Sequence, residues 1–584
     1  MSLDAFREVW VVDFEFRAAR GERPTVVCLV AHEVRSGRAL RLWHDEFTSG
    51  PCPYSIGPDS LVVAFYASAE MGCHLSLGWP LPANVLDLYA EFRVETNGKV
   101  LPNGAGLLGA LAHYGRDGIS ALEKDAMRDL VMRGGDYTAA ERQAILDYCE
   151  SDVVGTVSLL DAMRGVVSTQ PRLAHALLRG RYTKAVARIE DAGVPIDGPL
   201  LAKLRTHWSS LQERLIAKLD IEFGVYEGRS FRQQRFADFL RLHGISWPTL
   251  PSGRLSLDDD TFSEQCKTHP RLRPLKELRQ ALNQLRLSDL AVGGDQRNRA
   301  LMSMFRASTG RNQPSNSKFV FGLSAWLRGL VRPQPGYGLA YVDWSQQEFG
   351  IAAALSADAN MKAAYLSGDP YLAFAKQAGA VPAHATKASH PDEREQFKAC
   401  VLAVQYGMQE ESLARRILRP PAYARELLRK HRHTYSQFWE WSEGVLDYAR
   451  MRRRLWTVFG WNLYVGDRAN GRSLRNFPMQ ANGAEMLRLA CCLATEAGIR
   501  VVAPVHDALL IEAPIDELDA RTEQMQDLMR QASAAVLGGF ELRSDAKLIR
   551  APERFCDERG TAMWRVVQEL LHELEQEAQA EVVV

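Results

Sequence analysis

The length of the chain excludes a fold built around one hydrophobic core. The sequence has 584 residues, whereas single cores stop growing at roughly 250 to 300 residues and longer chains divide into domains. We therefore expect three or more folded units. The hydrophobic fraction of 46% and the charged fraction of 24% are ordinary for globular proteins, so most of the chain should be folded.

Composition excludes several functional classes. The N-terminus carries charged residues where a secretory signal needs an apolar run, and no later apolar run is long enough to cross a membrane, which predicts a cytoplasmic protein with no membrane partner. The nine cysteines have no metal-binding spacing and are expected to be reduced. Because Lys+Arg and Asp+Glu both total 71, any nucleic-acid site must be local. Arginine runs at 425–433 and 450–454 are candidates, although alone they are typical of solvated helix faces.

The N-terminal residues predict an α/β domain spanning 1–165. Residues 8–16, 25–34 and 39–47 are rich in β-formers, and the turn at 35–38 indicates an antiparallel connection. A helix should begin near Thr138, because Thr138 and Glu141 have capping-box spacing.

After the N-terminal domain, the residue pattern of the sequence changes twice. Residues 180–300 have the long, charged periodicity of amphipathic helices. After residue 300 the pattern is mixed, with strands around 336–345 and 501–514, a helix-rich block at about 355–455, and closing helices.

Two aspartates follow apolar strands in the C-terminal half. Asp343 ends the run GLAYVD, and Asp507 lies between two apolar runs at VVAPVHDALLIEAP. Each alone is more often an ordinary turn residue. Together they suit phosphoryl transfer, which two Mg²⁺ ions about 3.5 to 4 Å apart catalyse while held by carboxylates.

A third signal is a helix that begins at Pro391. Arg394, Lys398, Leu402 and Tyr406 follow at intervals of four, so they share one face. Two cations a turn apart could clasp a triphosphate. From spacing alone, a solvated amphipathic helix is an equally good interpretation.

These motifs together resemble the DNA polymerases of family A, the group that includes the Klenow fragment. DWSQQE, the spacing RxxxKxxxxxxxYG, and VHDA occur in the family's order, with STGR at 308–311 and RSLRNFPMQANGAE at 472–485 similar to its DNA-contacting segments. The resemblance covers essentially the whole chain. It implies an α/β multidomain fold: an RNase H-like exonuclease domain, then a right-hand polymerase with a helical thumb, an antiparallel-sheet palm and helical fingers. The implied segments are 1–165 exonuclease, 166–300 linker and thumb, 301–355 palm, 356–455 fingers, and 456–584 palm with C-terminal helices.

The resemblance also implies roles in synthesis. Asp343 and Asp507 would be catalytic and would bind two Mg²⁺ ions, for which Mn²⁺ could substitute, with the carbonyl of Trp344 as a further ligand. Glu348 would crowd the sugar 2′ position and exclude ribonucleotides. The deoxynucleoside triphosphate would be bound by Arg394, Lys398, Leu402, Tyr406, Glu348 and Gln346, and the primer-template DNA by Thr309, Arg311, Arg472, Asn476, Gln480 and His506.

The N-terminal segment resembles the family's DEDD-type 3′→5′ exonuclease. Asp13 and Glu15 lie two apart on a strand, and Tyr148 and Asp152 lie four apart on a helix, so each pair shares a face. They imply a second two-metal site, with Asp13, Glu15 and Asp152 as ligands. Glu70 stands where the family usually has Asp, and a domain kept only as a scaffold is the alternative.

Two departures from the family concern synthesis. Leu402 replaces the usual Phe or Tyr under the sugar, which puts discrimination against dideoxynucleotides in doubt, and Ala508 replaces an acidic neighbour of Asp507. No 5′ nuclease segment is expected, since the exonuclease-like strands begin almost at Met1. A monomer is expected.

Three alternatives remain. A single-subunit RNA polymerase would share the Arg-Lys-Tyr helix and is disfavoured by Glu348 and the exonuclease. The others are a DNA-binding accessory factor with decayed sites and a stand-alone exonuclease.

Overall fold

The computed structural model describes residues 3–47, 50–118, 121–169, 171–250, 252–283, 287–405 and 407–583. They form two compact units. One comprises residues 1–193, 301–313 and 339–548, and the other comprises residues 194–300, 314–338 and 549–584. Among the described residues, no helix is both long and apolar enough to cross a membrane.

A five-stranded sheet forms the centre of the N-terminal segment. Its order is β3-β2-β1-β4-β5, with β1, β2 and β3 antiparallel and β4 parallel to β1 and β5. The elements are β1 (Glu8–Arg17), β2 (Thr25–Glu33), β3 (Ala39–Trp43), α1 (His44–Phe47), β4 (Ser60–Ala64), α2 (Ser68–Ser76), β5 (Asn84–Asp87), α3 (Leu88–Thr96), α4 (Leu107–His113), α5 (Ala121–Arg133), α6 (Ala139–Val167) and α7 (Arg172–Ala192).

Strand β1 is buried on both of its faces. Val9 and Val11 pack into one hydrophobic cluster, whereas Trp10, Val12 and Phe14 pack into another. Successive side chains of a strand point to opposite faces, so one strand can supply two cores. This explains why its sequence is a continuous apolar run interrupted only where Asp13 and Glu15 occur.

Local signals in this segment are confirmed. The antiparallel connection between β2 and β3 lies where the sequence predicts it. Helix α6 begins after Thr138, whose side chain accepts from the Glu141 amide while the Glu141 carboxylate accepts from the Thr138 amide. Such a reciprocal cap satisfies two donors that a helix start otherwise leaves unpaired.

The described part of the stretch 180–300 is mainly helical, as expected, with four short strands in addition. Its strands form two-stranded pairs. The elements after α7 are β6 (Val194–Pro195), α8 (Gly198–Thr206), α9 (Trp208–Leu219), β7 (Tyr226–Glu227), β8 (Ser230–Phe231), α10 (Gln233–Leu242), α11 (Asp259–Thr268), α12 (Arg273–Asn283) and β9 (Arg297–Asn298).

The C-terminal half contains a four-stranded sheet flanked by helices. Its order is β13-β14-β10-β15. The elements are β10 (Tyr337–Trp344), α13 (Gln347–Ser356), α14 (Ala359–Leu366), α15 (Pro370–Gln377), α16 (Pro391–Gln405), α17 (Glu410–Ile417), α18 (Pro421–Thr434), α19 (Ser436–Arg452), β11 (Arg454–Trp456), β12 (Asn462–Tyr464), α20 (Gly471–Glu496), β13 (Arg500–Val505), β14 (Ala508–Pro514), α21 (Leu518–Val536), β15 (Ser544–Arg550) and α22 (Thr561–Val583).

The boundaries of the compact units do not coincide with those of the expected segments, which remain predictions. Residues 314–338, expected in the palm segment 301–355, belong to the second unit. Helix α7, expected in the linker and thumb segment 166–300, belongs to the first unit. Helix α22, expected with 456–548, belongs to the second, where its acidic side chains pair with α9: Lys218 Nζ lies 2.9 Å from Glu569 Oε2. Sequence order cannot reveal such a return of the chain, because the partners are more than 300 residues apart.

Candidate active sites

Asp343 and Asp507 lie at the ends of the two central strands of the four-stranded sheet. Asp343 is the penultimate residue of β10, and Asp507 lies in the two-residue turn between β13 and β14, with β14 and β10 adjacent in the sheet. The turn is tight because His506 takes a left-handed conformation with φ 56°, which non-glycine residues seldom adopt. His506 itself is exposed at the tip.

The electrostatics of the two carboxylates indicate that they are close enough to interact. The pKa of Asp343 is raised from 3.8 to about 6, first by burial and then by the negative charges of Asp507 and Asp545. Like charges in a partly desolvated site disfavour ionisation of both, and a bound cation would reverse that. Asp343 and Asp507, which are 164 residues apart in sequence, therefore belong to one site. Asp545, on β15, is a third acidic member that the sequence motifs did not predict.

Polar donors surround Asp507. Arg311 Nη2 donates to Asp507 Oδ1 at 2.9 Å, and the Gln347 amide, oriented with its nitrogen toward the carboxylate, lies 3.0 and 3.2 Å from its two oxygens. The pKa of Glu348 is raised by burial and by Asp507, against the opposing effects of Arg311 and a hydrogen bond from Gln480. Glu348 therefore lies beside the aspartate site and beside a residue expected to contact DNA.

The backbone after β10 directs these side chains. Gln346 adopts a left-handed conformation with φ 48° immediately before α13, so the chain turns sharply from the strand into the helix. Its Oε1 lies 3.4 Å from Arg543 Nη2. Trp344 is buried, and the intervening Ser345 donates through Oγ to Asp545 Oδ2 at 2.5 Å. The strand-to-helix turn thus brings Asp343, Gln347 and Glu348 to the same site.

Helix α16 begins at Pro391, as the sequence predicts. Its two cationic side chains form ion pairs with nearby carboxylates. Arg394 Nε donates to Asp369 Oδ2 at 2.5 Å, and Lys398 Nζ lies 3.5 Å from Glu395 Oε2. A triphosphate would have to replace these carboxylates. Leu402 is half-buried, whereas Tyr406 lies outside the described residues.

Three residues expected to contact DNA occupy one face of α20. Arg472, Asn476 and Gln480 are spaced by four, with Arg472 exposed and the other two half-buried. Arg472 and Asn476 line a cavity of about 660 Å³ together with Arg425 and Arg429. The spacing of four aligns them because one helical turn takes 3.6 residues. Arg425 and Arg429 are paired with Glu410 and Glu426, so a phosphate backbone would have to replace these carboxylates.

The loop 308–311 is held rigidly. Trp461 Nε1 donates to the Ser308 carbonyl at 2.9 Å, and Arg488 Nη1 donates to the Gly310 carbonyl at 2.7 Å. Gly310 has φ +75°, and a Cβ there would meet the Trp461 ring at 3.0 Å, so glycine is required on two grounds. The half-buried Thr309 and Arg311 are consequently presented from a fixed turn.

A second acidic site lies in the N-terminal sheet. The ligand atoms of Asp13, Glu15 and Cys149 all lie within 4.8 Å of one another, and Cys149 Sγ donates to Asp13 Oδ2 at 3.3 Å. Asp152, on α6, accepts from Lys124 Nζ at 2.7 Å. Strand β1 and helix α6 therefore meet at this site.

The charges of this second site repel one another. The pKa of Asp13 is raised from 3.8 to about 8, first by burial and then by Asp152, and burial with Asp13 and other neighbours raises the pKa of Glu15. Burial and Asp13 also raise the pKa of Glu70, and its Oε2 has no hydrogen-bond partner among the residues that the structure describes. Burial and Asp152 raise the pKa of Tyr148. All five predicted residues thus interact in one place.

The sequence analysis did not predict several residues of the two acidic sites. Lys124 and Cys149 at the second site, and Gln347 and Asp545 at the first, belong to no spacing that indicates metal binding. Cys149 could have been noticed because it lies one residue after Tyr148, although a buried thiol is more often an inert core residue. Lys124 and Asp545 carry no local signal, because only the folded chain brings them near the acids.

Several known proteins are similar to this chain in sequence. Residues 322–547 match the model of DNA polymerase family A. DNA polymerase I of Chloroflexus aurantiacus is 24% identical over 442 residues, which are 69% of this chain and 46% of that protein. The thermostable DNA polymerase I of Thermus aquaticus is 25% identical over 430 residues, covering 68% of this chain and 50% of its own length. The chain thus spans about half the length of these curated relatives.

A solved structure shares the fold. It is described as the POL domain of Pol1 from M. smegmatis in complex with DNA primer-template and dNTP, and it superimposes with a TM-score of 0.70 at 18% identity, covering 95% of this chain and 96% of that one. The fold is therefore the mixed α/β fold of this polymerase class. In residues 322–547 the chain is therefore similar to DNA polymerase family A, and along about two thirds of its length it is similar to these DNA polymerases I.

Proposed function

We propose that this protein is a template-directed DNA polymerase that adds deoxynucleotides to a primer 3′ end by two-metal phosphoryl transfer. The observation that carries the proposal is the convergence of Asp343 and Asp507, which raises the pKa of Asp343 to about 6. The relatives' names as DNA polymerase I support the same activity.

The residues present fit a divalent metal. Mutually repelling carboxylates in a partly buried site are stabilised in their ionised form by a cation, and oxygen ligands suit Mg²⁺. Asp343 and Asp507 would hold the ions, with the Trp344 carbonyl beside them. When bound, two ions activate the attacking hydroxyl and stabilise the developing negative charge. Arg311 and Gln347 orient Asp507 by hydrogen bonds, so the carboxylate is positioned before any ligand arrives.

Nucleotide selection follows from the surrounding side chains. Arg394 and Lys398 would bind the triphosphate after releasing Asp369 and Glu395, since a triphosphate carries more charge than either carboxylate. Glu348, next to Asp507 and Gln480, would exclude a 2′-hydroxyl. This arrangement favours deoxynucleotides over the ribonucleotides that a single-subunit RNA polymerase would use.

The domain roles follow from the same proposal. The β13-β14-β10-β15 sheet would form the palm, α14 to α19 the fingers, and the helices of 194–300 the thumb. Arg472, Asn476 and Gln480 on α20, with Thr309, Arg311 and His506, would contact the primer-template.

A second candidate activity is 3′→5′ exonucleolytic proofreading. Asp13, Glu15 and Asp152 would hold divalent metals, and Tyr148 would orient the attacking water. Glu70 supports this activity, because its buried and unpaired Oε2 is costly unless a cation or water satisfies it. Lys124 would compete with a metal for Asp152.

A single experiment assigns both activities. A primed template with a mismatched 3′ end is incubated with Mg²⁺, with and without deoxynucleotides, using wild type, Asp343→Ala, Asp13→Ala and the surface control Asp516→Ala. We expect Asp343→Ala to degrade the primer without extending it, and Asp13→Ala to degrade it poorly. Asp516 is exposed, so its variant should match wild type. Extension by Asp343→Ala at the wild-type rate would refute the polymerase assignment, and a lack of degradation by wild type would indicate a scaffold domain.

A further inference from the structure

The end of helix α3, in the proposed exonuclease domain, contacts the loop that reaches Asp507. Asn97 follows α3 and is only 2% exposed. Its Nδ2 donates to the Ser308 carbonyl and to the Asn462 carbonyl, each at 2.7 Å. A buried amide that satisfies two carbonyls of distant segments fixes those segments relative to each other.

Arg93, one helical turn earlier, contacts the same loop. Its Nε lies 3.3 Å from the Phe305 carbonyl, and its Nη2 lies 3.3 Å from the Arg306 carbonyl. Helix α3 and the residue that follows it therefore supply donors to three carbonyls of the segment 305–308. Arg93 is half-exposed, so its removal should be tolerated more easily than that of Asn97.

The loop connects these hydrogen bonds to the proposed polymerase site. The Ser308 carbonyl accepts from both Asn97 and Trp461, so both of its lone pairs are used. Three residues later, Arg311 donates to Asp507. Between them, Gly310 lies against the Trp461 ring, where an added Cβ would come within 3.0 Å of the ring atoms, so the loop is closely packed at this point.

We propose that Asn97 and Arg93 are positioning residues for DNA synthesis: they hold the loop 305–311 so that Arg311 stays on Asp507 and faces the primer-template. This inference rests on the proposed polymerase function. Its consequence is that the N-terminal domain supports synthesis through α3, whether or not its own acidic site cleaves DNA.

The chain offers a matched control. Asn84 Nδ2 also donates to two backbone carbonyls, those of Pro58 and Ser60, at 2.9 and 3.0 Å. Both of its partners lie within the N-terminal segment. Asn84→Ala therefore removes the same chemical group and the same number of hydrogen bonds as Asn97→Ala, without touching the loop.

The test compares Asn97→Ala, Arg93→Ala and Asn84→Ala in single-nucleotide incorporation on a primed duplex, with active-site titration. For Asn97→Ala we expect kcat/KM for primer-template to fall about tenfold through a higher KM, which corresponds to about 1.4 kcal/mol. That is within the cost of leaving a buried polar group unpaired. Arg93→Ala should show a smaller rise in KM, partly restored by Arg93→Lys, and Asn84→Ala should show none.

The kinetic parameters separate positioning from general damage. A merely structural role would lower the active fraction, and hence the apparent kcat, while KM for the active molecules stayed at the wild-type value. If thermal unfolding shows that Asn97→Ala is not folded, the KM of Arg93→Ala decides whether the positioning inference holds. If the folded variants keep the wild-type KM for primer-template, the positioning inference is wrong, whereas the proposed function is unaffected. A wild-type protein that neither binds nor extends a primed duplex would overturn the proposed function, and this inference with it.

Discussion

Asp13→Asn should stabilise the metal-free protein while removing the proposed exonuclease activity. The ionised form of Asp13 is disfavoured by burial and by Asp152, which together raise its pKa to about 8. The contribution of such a group to the stability of the folded state is fully present below its unfolded pKa of 3.8. This contribution is lost as the pH rises through the folded pKa of about 8. An amide of the same shape has no charge to desolvate.

The size of the effect follows from the two pKa values. At 1.36 kcal/mol per pH unit, the interval from 3.8 to neutral pH corresponds to on the order of 4 kcal/mol. Asp13 is partly exposed, and solvent screening reduces the expected gain in the free energy of unfolding to about 1 to 3 kcal/mol. The charge of Asp13 also raises the pKa values of Glu15 and Glu70, so its removal should relax both.

The assay is denaturant unfolding in EDTA at several pH values between 4 and 8, followed by titration with Mg²⁺. Wild type and Asp13→Asn should have equal stability near pH 4 and diverge as the pH rises. Mg²⁺ should stabilise wild type above neutral pH, because ligand bound only by the native state shifts the folding equilibrium, and should stabilise the variant less. A stability difference that is the same at pH 5 and pH 8 would refute the reasoning, as would equal stabilisation of both proteins by Mg²⁺.

Three other variants test separate parts of the proposal. Asp507→Asn should abolish primer extension yet bind a primed duplex nearly as wild type does, since the DNA-contacting residues remain; comparable extension rates would contradict the metal role. Glu348→Ala should admit ribonucleotides, measured as the ratio of kcat/KM for a ribonucleotide and its deoxynucleotide, and an unchanged ratio would remove Glu348 from sugar selection. Lys124 lowers the pKa values of Asp13 and Glu15, so Lys124→Met should move the acidic limb of the pH–rate profile for single-strand degradation to higher pH; an unmoved limb would show that Lys124 does not act on these carboxylates.

Elements with a local signature were predictable from the sequence. The start of α16 at Pro391 follows from the preference of proline for the first helical turn, and the start of α6 at Thr138 follows from its capping box. The strand that ends near Asp343 was indicated by an apolar run. Each of these signals acts between residues a few positions apart, so the tertiary structure did not need to be known.

The composition of the two acidic sites was predictable only in part. The family motifs indicated Asp343 with Asp507, and Asp13 with Asp152. They did not indicate that Asp545 adds a third charge to the first site, or that Lys124 pairs with Asp152 at the second. Tyr406 lies outside the described residues, so its placement remains a prediction.

The sequence by itself determined the local elements and which acids could form a metal site, because helix caps, strand periodicity and side-chain chemistry act over a few residues. The tertiary structure decided which distant residues meet. It joins residues 549–584 to 194–300, directs Arg311 to Asp507, and fixes the loop 305–311 with α3. Such pairings depend on how whole elements pack and return along the chain, and no short-range pattern encodes that.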